Sequence, residues 1–253
     1  MHARMLFVAA LLQAGLLLPG WTLANGNDQG LVLEAETGAL WFSRNRTQIP
    51  SDDGTRFDLD DLTGNGPDGY LRLSAQYHFN PRHSLRLAYA PIQVSGTGTL
   101  DEPVTFVDAT FDADTPIRGL YRFDTWRLTW RWTFHRSDRR DLGVGAAALV
   151  RDAKIQLQQG DQVRTDDDLG VVPLLHAHAA WHLNPRTSLV LDMEGAAASQ
   201  GRAIDAALTL RHTLPSGWQL FGGYRTLEGG ADNNDVYTFA WMHFATVGFS
   251  VSF

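Results

Sequence analysis

The sequence predicts an all-β protein: an antiparallel, up-and-down transmembrane β-barrel of about ten strands, within limits of eight and twelve, behind a cleaved export signal. Three observations predict it. Apolar and polar residues alternate with period two in segment after segment. The connections between these segments alternate short and long, and large aromatics gather near both ends of the apolar faces. The chain has 253 residues, is 44% hydrophobic and carries a formal net charge of −7. The absence of Cys excludes disulfides, thiol catalysis and Cys-based zinc sites. The acidic balance argues against nucleic acid as a partner, which would need a net basic face. Of the 21 basic residues only Lys154 is not Arg, so the cations are forked guanidiniums suited to fixed ion pairs.

Residues 1–24 read as the export signal. His2 and Arg4 give a polar start, Met5 to Leu18 an apolar run, and Pro19-Gly20 its end. Thr22 and Ala24 supply small residues for cleavage after Ala24. The run is shorter than the roughly 20 residues a membrane-spanning helix needs. Residues 25–253 then form one barrel domain, which enters a membrane as strands.

Ten segments carry the alternation: 30–43, 69–79, 84–95, 119–134, 141–157, 170–183, 188–198, 203–214, 217–228 and 236–253. In the fourth, Trp126, Leu128, Trp130, Trp132 and Phe134 alternate with Arg127, Thr129, Arg131 and Thr133. The last sets Tyr237, Phe239, Trp241, His243, Ala245, Val247, Phe249, Val251 and Phe253 on one face, with small, mostly polar residues on the other. Tight links follow the second, fourth, sixth and eighth segments. Longer polar connections cover 44–68, 96–118, 158–169 and 229–235. Tyr77-His78-Phe79-Asn80-Pro81-Arg82 and Trp181-His182-Leu183-Asn184-Pro185-Arg186 read as one hairpin motif used twice.

A soluble β-barrel would show the same alternation with its sense inverted. The aromatics decide against it. Tyr77, Phe79, Trp132, Phe134, Trp181, Trp218, Phe249 and Phe253 lie by the short turns, and Trp41, Tyr89, Tyr224, Tyr237 and Phe239 toward the long loops. Two belts flanking an aliphatic band are what a bilayer interface selects. With its signal peptide, alternating strands and terminal Phe249, Val251 and Phe253, the chain resembles the small Gram-negative outer-membrane β-barrel proteins of the OmpA-like and OmpW-like sort. That resemblance implies location in the outer membrane with both termini in the periplasm. It implies outer-membrane lipid, lipopolysaccharide and the barrel assembly machinery as partners, the last reading Phe249, Val251 and Phe253. It brings no cofactor and no catalytic residue.

The polar faces then line a narrow lumen. Glu34, Glu36, Asp192, Glu194 and Asp205 meet Arg72, Arg86, Arg127, Arg131, Arg151, Arg211 and Arg225. Unpaired charges in such a place cost several kcal/mol each, which predicts a crossed ion-pair network. His176, His178 and His182 share the inward face of the sixth segment. With Leu183 opposite Thr187, His178 faces Asp192 and His176 faces Glu194, a set that could hold a metal or make an acid–base pair; hydrogen-bond filling of the lumen is the stronger reading.

Residues 44–68, 96–118, 158–168 and 228–235, with the short link 199–202, hold eighteen acidic side chains against six basic ones. Asp58, Asp60 and Asp61, and Asp166, Asp167 and Asp168, are the clusters where a divalent cation would bind, although neither has EF-hand spacing. The acidic connection 44–68 reads as a solvated surface. No Ser stands in a recognisable nucleophile motif. The expected function is therefore a non-enzymatic structural or surface-interaction barrel with a charged, mostly blocked lumen. A narrow, porin-like pore for small, anionic solutes is the alternative, and a rim enzyme acting on lipid A or peptides the second.

Overall fold

The computed structural model describes residues 30–199 and 201–253; the export signal assigned to 1–24 lies outside them. The described residues form, in chain order, β1 (Gly30–Gln48), β2 (Phe57–Asp58), α1 (Asp60–Thr63), β3 (Asp68–Asn80), β4 (His83–Ala90), β5 (Gln93–Gly98), β6 (Val104–Phe106) and β7 (Ala109–Phe111). There follow β8 (Ile117–Arg136), β9 (Arg140–Gln159), β10 (Gln162–Asn184), β11 (Thr187–Ala198), β12 (Gly201–Thr213), β13 (Gln219–Asp232) and β14 (Tyr237–Ser252). Strands β1, β3, β4 and β8 to β14 make an antiparallel meander that closes where β14 pairs β1. That is a ten-stranded barrel, and its strands follow the ten alternating segments closely. No described helix is long and apolar enough to cross a membrane.

The alternation sorts side chains as a membrane demands. Trp126, Leu128, Trp130, Trp132 and Phe134 of β8 are exposed on the outer wall, whereas Thr125, Arg127 and Thr129 are buried in the lumen. On β14, Ala240, Met242, Phe244, Thr246 and Ser250 are buried and Trp241 and Val247 exposed. The barrel is zipped to the end of β14. Phe249 lies opposite Ala35 and Val251 opposite Leu33, and Phe253 N donates to Leu31 O at 2.8 Å.

The repeated hairpin motif has one physical cause. In both copies the ladder slips by one residue, between His78 and Asn80 and between His182 and Asn184. The Asn side chain then closes the turn: Arg82 N donates to Asn80 Oδ1 at 2.9 Å, and Arg186 N to Asn184 Oδ1 at 3.0 Å. Asn is suited to this because its carbonyl mimics a backbone acceptor two residues on.

Two connections differ from the sequence reading. The polar loop expected at 158–169 is a tight turn at Gly160-Asp161, because β9 and β10 stay paired as far as Gln159 opposite Gln162. Asp166, Asp167 and Asp168 therefore sit in a strand, and neighbours along a strand point to opposite faces. The connection at 44–68 is not simply a solvated surface. Its α1, ended by Gly64 at φ 78°, buries Leu62, and Leu59 and Phe57 are buried beside it.

With 20, 20 and 23 residues, β8, β9 and β10 extend well past β11 and β12. At ~3.3 Å per residue each would run roughly 65 Å or more along the strand. Pairing of β10 with β11 begins only at Leu175 opposite Gly195. Among the described residues, Gln162 to Leu174 therefore have β9 as their sole strand partner.

Candidate functional site

The lumen is filled from both ends, by different chemistry. Toward the long connections the filling is apolar. Phe57, Leu59 and Leu62 from the first long connection, and Leu100, Val104, Phe106 and Phe111 from the second, pack with Leu40, Phe42, Ile117, Tyr121, Leu157, Met242 and Phe244 of the wall. Phe106 and Phe111 come from the small β6–β7 hairpin and are completely buried. The ring of Phe57 meets that of Phe106 edge-on, centroids 6.3 Å apart. These residues form a plug across the mouth, and Phe123 N donates to Ile92 O at 2.8 Å in the break between β4 and β5.

Toward the short turns the filling is ionic. Arg127 Nη1 lies 2.7 Å from Glu194 Oε2 and 2.6 Å from Asp205 Oδ2, tying β8 to β11 and β12. Arg225 reaches Glu36 through two parallel hydrogen bonds of 3.0 Å and Asp205 Oδ1 at 2.6 Å. Such bidentate geometry is what the planar guanidinium provides and an ammonium cannot. Arg72 approaches Asp205 at 3.4 Å. Arg86 Nη2 donates to Asp192 at 2.9 Å and Glu194 at 3.0 Å. Tyr70 donates to Glu36 at 2.9 Å and Thr129 to Glu194 at 2.7 Å, so the acids are satisfied beyond their ion pairs. Arg211 pairs with Glu34 and stacks over the ring of Phe221 at 4.3 Å. Gly248 makes room there, since a Cβ at that position would stand 2.3 Å from the Phe221 ring.

Of the seven inward arginines in the sequence reading, Arg72, Arg86, Arg127, Arg211 and Arg225 bond to the five inward acids. Arg151 lies apart, paired with Asp168 higher on the wall, and Arg131 leaves its Nε without a partner. The paired set is therefore balanced in charge. The void bordered by Glu34, Arg72, Arg86, Asp192, Arg211 and Arg225 leaves about 30 Å³ for the centres of water molecules, room for a few waters.

The histidines stand at the edge of this layer. His178 lies opposite Asp192 and His176 opposite Glu194; Asn184, not Leu183, faces Thr187 because of the bulge. His178 Nδ1 is 3.1 Å from Asp192 Oδ2, and His176 Nδ1 is 3.4 Å from Glu194 Oε1. His182 instead bonds Ser188 at 2.9 Å and approaches Asp141 at 3.5 Å, one step nearer the turns. His176, Asp192 and Glu194 place ligand atoms within 4.8 Å of one another. Both carboxylates are, however, already neutralised by Arg86 and Arg127. A divalent cation would be pressed against two guanidiniums, so the donor set does not suit one.

The acidic clusters do not converge either. Asp58 forms a 2.8 Å pair with Arg46, while Asp60 and Asp61 occupy the first turn of α1. Burial pushes the Asp60 carboxyl above its ordinary value, and Asp58 and Asp61 add to this. Asp61 is raised by burial and by Asp58 and Asp101. Asp166 is raised by burial and then by Asp168 and Asp167.

No family model matches the chain, and no curated protein matches it. Among solved structures, the outer-membrane protease OmpT of Escherichia coli is similar with a TM-score of 0.58 and 8% identity, covering 92% of this chain and 99% of that one. Ail of Yersinia pestis is similar at TM-score 0.41 with 10% identity, over 88% of this chain and 99% of that one. The translocator domain of NalP from Neisseria meningitidis gives 0.44 with 11% identity, over 100% of this chain and 96% of that one. The likeness to OmpT is one of fold, and it agrees with the registers: this chain is a closed, ten-stranded antiparallel barrel of the outer-membrane kind.

Proposed function

We propose that the protein is an integral barrel of a Gram-negative outer membrane that does not conduct and acts through its surfaces. One observation carries the reading: apolar side chains pack across the mouth, and a charge-balanced layer of ion pairs fills the barrel beneath them, which supports a closed lumen. Membrane residence is supported by the outward belt of exposed aromatics, among them Tyr77, Phe79, Trp132 and Phe134 near the short turns and Trp41, Tyr224 and Trp241 on the other side. Outer-membrane lipid and lipopolysaccharide are then its immediate partners. The outward row Phe249, Val251 and Phe253 suits recognition by the assembly machinery. Leu31 and Phe253 lie at the short-turn end, which in this class of barrel faces the periplasm. The acidic long connections then face outward, where divalent cations would screen them against lipopolysaccharide phosphates. The test is to refold residues 25–253, confirm folding by a heat-dependent gel shift, and record conductance in a planar bilayer. A silent, heat-shifting barrel supports closure; steady unitary steps altered by Arg127→Ala would establish the pore instead.

A further inference from the structure

One residue interrupts the apolar outer face of β14. His243 follows Trp241 and precedes Ala245 and Val247 on the bilayer side. An ionisable side chain on a lipid-facing wall is costly and calls for partners. His243 has two. Its Nε2 is 2.8 Å from Ser43 Oγ, and its Nδ1 is 2.5 Å from Tyr224 Oη. The three residues come from β1, β14 and β13, two hundred residues of chain lying between Ser43 and His243.

Ser43 is there because of a bulge. The β1–β14 register passes from Phe42 opposite Met242 to Arg44 opposite Trp241, leaving Ser43 without a partner on β14. The extra residue lets Ser43 and Arg44 both face outward, between the buried Phe42 and Asn45. Bulges re-aim side chains in this way. Ser43 is exposed, and the rings of Trp41 and Trp241 flank His243 at 5.9 Å and 5.4 Å. Thr226 is occupied separately, accepting from Trp241 Nε1 at 2.8 Å. The site lies ten residues along β14 from Phe253. At ~3.3 Å per residue and a tilt of about 40°, that is ~25 Å above the periplasmic edge, the far boundary of the apolar band.

A hydroxyl within hydrogen-bond reach of a histidine, itself held through its second nitrogen, is the arrangement of an activated nucleophile. The geometry points to a lipid esterase: Ser43 as nucleophile, His243 as base and Tyr224 as positioning residue, acting on O-acyl esters of phosphorylated lipids in the outer leaflet. This rests on the reading of the chain as an outer-membrane barrel, and names one of the surfaces through which it acts.

With the Nδ1 hydrogen donated to Tyr224, Nε2 is free to accept. Ser43 Oγ attacks the ester carbonyl carbon as its proton passes to His243 Nε2. The bond from that carbon to the alcohol oxygen breaks, and the alcohol leaves with the proton from Nε2. Water then attacks the acyl-Ser43 ester, giving its proton to Nε2; the fatty acid departs and Ser43 regains its hydrogen. Arg44, beside Ser43 on the same face, is the cation available to a lipid phosphate. Tyrosine stabilises an imidazolium less than a carboxylate would, which predicts a slow enzyme.

The experiment uses the refolded barrel in two lots of vesicles, one of phosphatidylethanolamine and phosphatidylglycerol, the other containing lipopolysaccharide. Released fatty acid is measured, together with labelling by a fluorophosphonate. Ser43→Ala and His243→Ala are expected to lose at least about 100-fold in release and to lose the label, with the heat-dependent gel shift intact. Tyr224→Phe should lose about tenfold and move the acid limb of the labelling profile to lower pH, because the imidazolium loses the oxygen that shares its Nδ1 proton. Release from the first vesicles alone names a glycerophospholipid substrate; release confined to the second names the acylated sugar lipid. A folded wild type that releases nothing from either overturns the proposal, as does release or labelling that survives Ser43→Ala. Conductance steps in the same preparation would refute the closed lumen and leave this result unaffected.

Discussion

Arg127 and Asp205 meet at 2.6 Å in the middle of the lumen, joining β8 to β12, four strands away around the barrel. Both are almost fully buried, and the contact braces the wall from inside.

Removing one partner should be worse than removing both. Breaking a buried pair costs about 3–5 kcal/mol because the remaining charge is stranded. Arg127→Ala is expected to lower the temperature of the heat-dependent gel shift markedly. Adding Asp205→Asn should restore part of the loss, which urea unfolding of the single and double variants would measure. Additive losses would mean that the contact contributes nothing as a pair.

The plug should respond separately from the barrel. Phe106→Ala removes a completely buried ring, a change worth about 3–5 kcal/mol. Protease should then cut within residues 99–116 while the gel shift survives.

Asp60 gives the plug a pH dependence. Its carboxyl is raised by burial and by neighbouring acids, so the folded connection disfavours the ionised form. The penalty is complete above the raised value and vanishes as pH falls below the ordinary carboxylate range. Protease resistance of residues 49–67 should increase on acidification. Asp60→Asn should give the acid-like resistance at pH 7 and flatten the dependence; an unchanged dependence would place its origin elsewhere.

Zinc added to the folded barrel should not raise its unfolding temperature, because Arg86 and Arg127 already hold Asp192 and Glu194. A chelator titration that lowers the temperature would reveal a site elsewhere, the acidic connections first.

The wall was legible in the sequence because period two is a local signal: the alternation through Trp126 to Phe134 needs no knowledge of the partner strand. The facing of His178 and Asp192 was legible too, since a hairpin register propagates from its turn. The plug was not. Leu59 and Leu62 stand among Asp58, Asp60 and Asp61, and only the three-dimensional mouth of the barrel decides that two leucines outweigh three acids. The pairing of Ser43 with His243 was hidden for another reason. It depends on a bulge and on the closing seam between β1 and β14, both properties of non-local pairing. The visible trace was a histidine on an otherwise apolar face.

The one-sided stretch of β10, from Gln162 to Leu174, has a further consequence. A strand with an open edge is a template for another strand, so crowding such barrels side by side invites sheet-to-sheet fusion. Asp166, Asp167 and Asp168 put charge on this stretch, and Pro173 removes a backbone donor. They act as insulation: a barrel carrying Asp167→Val and Pro173→Val would be expected to adhere to its own copies, trading a solitary existence for a polymer.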